Sequence, residues 1–320
     1  MPETAHNKGS AQNPPASAVD KFSVKGVHID DTFAEAFGMR ATALVITADT
    51  AQWAQQAAVT MTGFATSVIG CGCEAGIDGE LSSEQTPDGR PGVRVLLFAV
   101  STAELQRQLQ TRVAQCVLTS PGSACYAGIA GEETLKLGNA LRYFGDGWQI
   151  SKRFGDKHFW RIPVMDGEFV CEATTGLTKQ AVGGGNLLIV GRTTETTRAA
   201  AEAAAAAIAA VPDVIAPFPG GIARSGSKVG CKYKGVPAST NDAFCPTLRG
   251  AVNTALDADA GSVLEIVIDG LTSQAVAAAM AAGIAAIVKL GPKRGATRIS
   301  AGNYGGKLGP HHYHLRDLLP

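Results

Sequence analysis

Net charge, paired cysteine motifs and long apolar runs are all missing from this 320-residue chain, and each absence removes a class of function. The 28 Lys and Arg balance the 28 Asp and Glu, so the basic field that a general nucleic-acid binder needs is not there. The 7 cysteines (Cys71, Cys73, Cys116, Cys125, Cys171, Cys231, Cys245) are odd in number and include no C-x-x-C pair, which excludes a zinc ribbon and a thioredoxin-type motif. Several lie in apolar segments such as Gln115-Cys116-Val117-Leu118, where a thiol packs as a small hydrophobe. The pattern reads as a reduced, cytoplasmic protein. No apolar run is expected to cross a bilayer, because the Ala-rich segments carry Glu195, Arg198 and Glu202 close by. Residues 1–22, with Asn13-Pro14-Pro15-Ala16-Ser17-Ala18, show neither the apolar stretch of a signal peptide nor any periodicity, and read as a flexible tail.

Catalytic signatures are also scarce. Gly221-Ile222-Ala223-Arg224-Ser225-Gly226-Ser227-Lys228 nearly spells a P-loop, but Ser227 intervenes before the Lys. Gly183-Gly184-Gly185 lacks the dinucleotide spacing, and no G-x-S-x-G elbow occurs. His311, His312 and His314 invite a metal assignment, yet no carboxylate or Cys accompanies them at ligand spacing, so a short His-containing strand or tail is expected instead. In the folded body outside that tail only His28 and His158 remain as bases for a Ser or Cys nucleophile. Neither a metal site nor a covalent route is expected.

The remaining composition, 45% hydrophobic and 18% charged, is that of a globular protein large enough for two lobes. Two stretches show the same order of elements. In the first, Ala43 to Thr47 reads as a strand, followed by a helix capped by Asp49 or Thr50 with Trp53, Ala57, Ala58 and Met61 on one face. Gly63 ends it. Phe64 to Ile69 and Val93 to Val100 read as strands, Ser101-x-x-Glu104 opens a helix carrying Leu105, Leu109, Val113 and Cys116, and Leu137 to Phe144 supplies a last strand. In the second, the strand Asn186 to Val190 precedes an Ala-rich helix capped by Thr193 or Thr194. Strands at Val214 to Ala223 and Val263 to Ile268 follow, then a helix from Thr272 or Ser273 to about Ala282, and a strand at Thr297 to Ala301. The predicted architecture is α+β: two ferredoxin-like lobes, residues 23–168 and 169–320, each an antiparallel sheet with helices on one face. The Ala-rich helix suits close approach of a subunit or sheet, or simply reflects helix propensity.

Glycine is concentrated in two loops, Phe218 to Lys228 and Arg298 to Pro310, where it permits close approach of backbone to a ligand. Gly220, Gly221, Ser225, Gly226, Ser227 and Lys228 in the first, with Asn303, Tyr304, Gly305 and Lys307 in the second, are candidate substrate contacts. Glu265 is the candidate acid–base group. In Val263-Leu264-Glu265-Ile266-Val267-Ile268, alternation places Leu264, Ile266 and Ile268 on one face and Val263, Glu265 and Val267 on the other. The pattern favours solvent for Glu265, as for most glutamates; in a cleft, desolvation would raise its pKa towards neutrality.

Several blocks together resemble the formylmethanofuran–tetrahydromethanopterin formyltransferase family. They are Thr62-Gly63-Phe64-Ala65-Thr66-Ser67-Val68-Ile69, Thr86-Pro87-Asp88-Gly89-Arg90-Pro91-Gly92, Gln115-Cys116-Val117-Leu118-Thr119, Phe218-Pro219-Gly220-Gly221-Ile222, Ser225-Gly226-Ser227-Lys228, Phe244-Cys245-Pro246 and Ile299 to Gly309. The resemblance runs from about Val24 to the C-terminus. It implies a cytosolic homotetramer without a permanent cofactor. Such an enzyme moves a formyl group between the amine of methanofuran and N5 of tetrahydromethanopterin, both carriers acting as co-substrates. It also implies that Glu265 is the active-site glutamate and faces a cleft. On that footing Glu265 handles the proton transfers, glycine-loop amides with Ser227 or Asn303 hold the oxyanion, and Lys228 and Lys307 hold the carriers' acidic tails.

The chain departs from the archaeal members in its extra N-terminal residues and in a neutral, Ala-rich composition with 15 Arg to 13 Lys. That composition suggests a bacterium with a GC-rich genome, and the resemblance then implies oxidation of formaldehyde to formate, with this chain in a hetero-complex beside amidohydrolase-like formylmethanofuran hydrolase subunits. The alternatives are a non-catalytic scaffold subunit of such a complex and a pterin carrier. Retention of Glu265 and both glycine loops speaks against a scaffold, which gains nothing from a buried carboxylate.

Overall fold

Local capping and periodicity account for most element boundaries in both halves of the chain. The computed structural model describes residues 21–319. The chain enters through a hairpin, β1 (Lys21–Val24) and β2 (Val27–Asp30), turned by Lys25 and Gly26 at φ 50° and 82°, as a two-residue turn with both centres left-handed requires. The expected tail lies outside the described residues up to position 20; Lys21 and Phe22 pair with Asp30 and Ile29.

In the first half, β3 (Phe33–Thr47) leads into α1 (Ala51–Thr62). The Thr50 side chain accepts the Trp53 N–H and satisfies an orphan donor of the first turn. β4 (Glu74–Leu81), β5 (Gly92–Ala99), α2 (Thr102–Arg112) and β6 (Ala124–Ala127) follow. Ser101 caps α2 by accepting from the Glu104 N–H. The strands lie in the order β6–β3–β5–β4, each neighbour antiparallel. Ala57, Met61, Leu105 and Leu109 of the helices bury against Leu44, Ile46, Val95 and Leu97. Beyond β6 the sheet continues through β9 (Gly167–Glu172), β8 (Lys157–Val164) and β7 (Ile150–Phe154).

The second half repeats the order with β10 (Thr178–Gly191), α3 (Thr194–Ala209), β11 (Val214–Ile215), β12 (Ser262–Gly270), α4 (Ser273–Leu290) and β13 (Arg298–Ser300). Thr193 and Thr272 cap the two helices. The strand order is β13–β10–β12–β11, again antiparallel throughout. Ala-rich α3 does find a sheet and a helix to approach: Ala200, Ala204 and Ile208 bury with Met280 and Ile284 of α4 and with Leu187, Ile189, Ile266 and Ile268 of the strands. The expected His-containing strand is β14 (His311–His314), paired with β3. β3 also pairs with β10, joining both halves into a 14-stranded network. Away from the helices, Met39, Ala41, Phe98, Ala181, Ile215 and Leu271 form an apolar seam between the halves.

Five sequence expectations need correction. Phe64 to Ile69 is not a strand: Phe64 is left-handed at φ 49°, and Ser67 caps a single helical turn, Val68–Cys71. The strand there is β4, whose Glu, Asp and Gly residues hide its character. Leu137 to Phe144 forms helical turns, Gly138–Leu141 and Arg142–Gly145, with Leu137 and Leu141 buried one turn apart; the closing strand is β6. The stretch from Val214 stops as a strand at Ile215 because Pro217 and Pro219 have no N–H to donate. Trp53 is 45% exposed, its expected inward place being taken by Ala54. Finally, α4 runs to Leu290, well past Ala282. It is long and apolar enough to cross a membrane, 18 residues at mean hydropathy 1.6, although here Val276, Ala279, Met280, Ile284 and Ile287 pack into the core.

Candidate active site

Alternation along β12 separates its side chains as expected. Ile266 and Ile268 pack beneath α3 and α4, and Glu265 points to the opposite face. It is not solvated there, being 5% exposed. On one side β12 pairs with β10, placing Leu188 opposite Glu265. On the other, Ala223 exchanges both backbone hydrogen bonds with Glu265, at 2.8 and 2.9 Å, which lays the first glycine loop along the strand. A narrow cavity of about 30 Å³ opens between them, lined by Arg224, Ser225, Gly226, Asn241, Cys245 and Glu265.

Burial pushes the Glu265 carboxyl up to about 7, opposed only by a hydrogen bond from Asn186. Asn186 Nδ2 donates to Glu265 Oε1 at 3.1 Å. The Tyr304 phenol is pushed up to about 12 by burial and by the nearby Glu265, so it stays protonated. It donates to the Ser227 carbonyl at 3.0 Å and thereby ties the two glycine loops together.

The second loop is organised around a carboxylate that the sequence pattern alone did not bring forward. Glu35, on β3 and 1% exposed, accepts from the backbone N–H groups of Tyr304 (2.9 Å), Gly306 (3.0 Å), Leu308 and Gly309 (3.3 Å). Burial works to raise its pKa, but these four donors outweigh it and hold the carboxyl below the ordinary glutamate value. Asn303 Oδ1 takes the Gly305 N–H at 2.8 Å, and Asn186 Oδ1 takes that of Gly302 at 2.7 Å. The amides of this loop are therefore largely spent on its own fold, which corrects the expectation that they hold a substrate oxyanion. In the first loop the N–H groups of Arg224, Ser225 and Gly226, beside the cavity, have no protein acceptor among the described residues.

The other predicted contacts divide. Ser225 and Gly226 line the cavity. Gly220 and Gly221 do not: at φ 62° and 78° they turn the chain after Pro219. Lys228 is paired with Asp242 at 2.7 Å, whereas Lys307 is exposed. Asn186, Glu35 and Asn241 were missed. For Glu35 a signal existed, since Phe33-Ala34-Glu35-Ala36-Phe37 sets a carboxylate among apolar strand residues just as Glu265 is set.

Among the described residues no nucleophile–base pair stands in the cavity. The Cys245 thiol donates to the Asn241 carbonyl at 3.3 Å. Ser151 and His158 do meet at 2.8 Å, but as an exposed pair on the β7–β8 hairpin. Among the described residues no three His, Cys, Asp or Glu gather as a metal site. A larger cavity, about 170 Å³, borders Asp49, Arg90 and Asp166, and there Arg90 is already neutralised by Asp49 and Asp88.

A buried carboxyl pushed up to about 7 thus lies in an α+β protein beside two glycine loops that Tyr304 ties together. Residues 22–164 match the family model for formylmethanofuran-tetrahydromethanopterin formyltransferase, and residues 167–318 match the model for its proximal lobe. The chain belongs to this family. It is 62% identical over 296 residues, 92% of its length and 99% of the other's, to a formylmethanofuran–tetrahydromethanopterin formyltransferase of Methylococcus capsulatus. It is 57% identical, over 93% of its length and 97% of the other's, to a subunit of the formyltransferase/hydrolase complex of Methylorubrum extorquens. A chain in the crystal structure of the formyltransferase/hydrolase complex FhcABCD from Methylorubrum extorquens with methylofuran superimposes with a TM-score of 0.92 at 56% identity, covering 94% of this chain and 99% of that one.

Proposed function

We propose that this chain transfers a formyl group between the amine of a methanofuran-type carrier and N5 of tetrahydromethanopterin, with both carriers as co-substrates and Glu265 as the acid–base group. The observation that carries the reading is the buried carboxyl poised near neutrality, in a chain 62% identical to a relative named for this reaction.

The attacking amine nitrogen adds to the formyl carbon, forming a C–N bond and a tetrahedral oxyanion. Ionised Glu265 takes the proton from that nitrogen and returns it to the leaving amine as the original C–N bond breaks. Proton and electron pair balance without a covalent enzyme intermediate. The unspent amides of Arg224, Ser225 and Gly226 are the donors offered to the oxyanion. Tyr304, Ser227, Asn303 and Gly305 are the further contacts proposed for the carriers, Tyr304 being tied to the Ser227 carbonyl, and exposed Lys307 is the proposed partner of an anionic carrier tail.

The proposed architecture is two ferredoxin-like lobes, 23–168 and 169–320, a reading supported by the fourth–first–third–second strand order in each half. Likeness to the Methylorubrum extorquens protein supports a place in a formyltransferase/hydrolase complex in one-carbon metabolism. A homotetrameric core and a cytoplasmic setting complete the proposal. The test is formyl transfer between formyl-tetrahydromethanopterin and methanofuran by the purified chain. Turnover is expected, and its loss in a folded Glu265→Gln variant; near-full turnover in that variant would remove the acid–base role.

A further inference from the structure

The Asn186 side chain joins Glu265 to the second glycine loop, and its chemistry permits one arrangement. Asn186 sits on β10 opposite Val267 and is 4% exposed. Its Oδ1 accepts the Gly302 N–H at 2.7 Å. A peptide N–H can only donate, so the amide orientation is fixed and Nδ2 must face Glu265 Oε1, at 3.1 Å, as a donor. The contact has no slack, because a Cβ on Gly302 would stand 2.5 Å from Nδ2. Gly302 is itself anchored, its carbonyl accepting the Glu35 N–H at 3.1 Å.

An oxygen that already accepts an N–H is the poorer seat for a proton. We infer that Asn186 is a positioning residue for the acid–base step: it reserves Oε1 of Glu265 as an acceptor and leaves Oε2 to take and return the proton. By donating to the charged form it also favours ionisation of the buried carboxyl. This inference rests on the function proposed above. The other titratable groups around Glu265 are Tyr304, neutral because burial and Glu265 itself raise it to about 12, together with Arg224 and Cys245 on the cavity wall.

The experiment follows the Glu265 carboxyl by infrared titration of the full chain, assigned by its loss in Glu265→Gln, alongside the pH dependence of kcat/KM. Asn186→Ala should raise the ionisation midpoint by about one pH unit, the scale of one hydrogen bond to a charged group, and move the acid limb of the rate profile with it. Asn186→Leu separates the donor from the packing without adding a charge that would itself raise the midpoint. It keeps about the same side-chain volume but has no N–H for Glu265. A merely space-filling Asn186 predicts a wild-type midpoint for Asn186→Leu; the inference predicts an upward shift like that of Asn186→Ala. Unmoved midpoints in both folded variants, or moved midpoints with an unmoved rate limb, overturn it. Absent turnover in the wild type, with the infrared shifts intact, would refute the proposed function and the acid–base role together. Wild-type turnover with unmoved midpoints would refute only the role of Asn186.

Discussion

Replacing Glu265 with Gln is expected to stabilise the folded protein at the pH where the carboxyl would work. Burial raises its pKa from 4.5 to about 7, whereas in the unfolded chain it titrates as an ordinary glutamate. At low pH both states hold the proton and the carboxyl contributes no difference. As pH rises through the unfolded value, the unfolded chain ionises and the folded chain does not, so stability falls until the folded carboxyl ionises near pH 7. With about 1.4 kcal/mol for each unit of difference, the loss reaches about 3 kcal/mol by pH 8. Gln keeps the volume and still offers an oxygen to Asn186 Nδ2, but it has no charge to desolvate.

The assay is urea unfolding of wild type and Glu265→Gln at about pH 4.5 and about pH 8. The advantage of the variant should widen by about 3 kcal/mol between the two conditions, the full linkage span of one carboxyl. A stability gap constant across that range would refute the claim that the folded state holds this carboxyl in its neutral form. That result would remove the basis for its acid–base assignment as well.

Glu35 should behave with the opposite sign. Burial opposes its ionisation, but donors from Leu308, Tyr304, Gly306 and Gly309 prevail and lower its pKa, so its contribution is present above the ordinary glutamate value and lost as pH falls through the lowered folded one. Glu35→Gln turns an NH2 towards backbone donors and should cost about 2–4 kcal/mol, read as faster hydrogen exchange at residues 304–309 and a raised KM; unchanged exchange there would sink the anchoring argument. Tyr304→Phe deletes the 3.0 Å bond to Ser227 O, worth about 1 kcal/mol. It should raise KM with little change in kcat, and a fall in kcat alone would count against a role in joining the loops.

The helices were legible because their signals are local. Ser101 caps the helix that the sequence assigns to it, and of the paired cap candidates Asp49/Thr50, Thr193/Thr194 and Thr272/Ser273 the structure uses Thr50, Thr193 and Thr272. β4 was not, since Glu74-Ala75-Gly76-Ile77-Asp78-Gly79-Glu80-Leu81 owes its strand to pairing with β5 and not to its own composition. The site divides along the same line. Alternation in β12 put Glu265 on the correct face, but what covers that face, Ala223 to Ser227 and Tyr304, comes from distant chain.

Glu35 and Glu265 make the comparison sharp, because each is a carboxylate among apolar residues mid-strand, nearly fully buried. One is driven towards neutrality and the other held ionised. The difference is the number of donors that tertiary structure delivers: a single side-chain amide to Glu265, against four backbone N–H groups from residues 304–309 to Glu35. A strand pattern can therefore nominate a buried carboxylate, while its charge is decided by donors arriving from far along the chain.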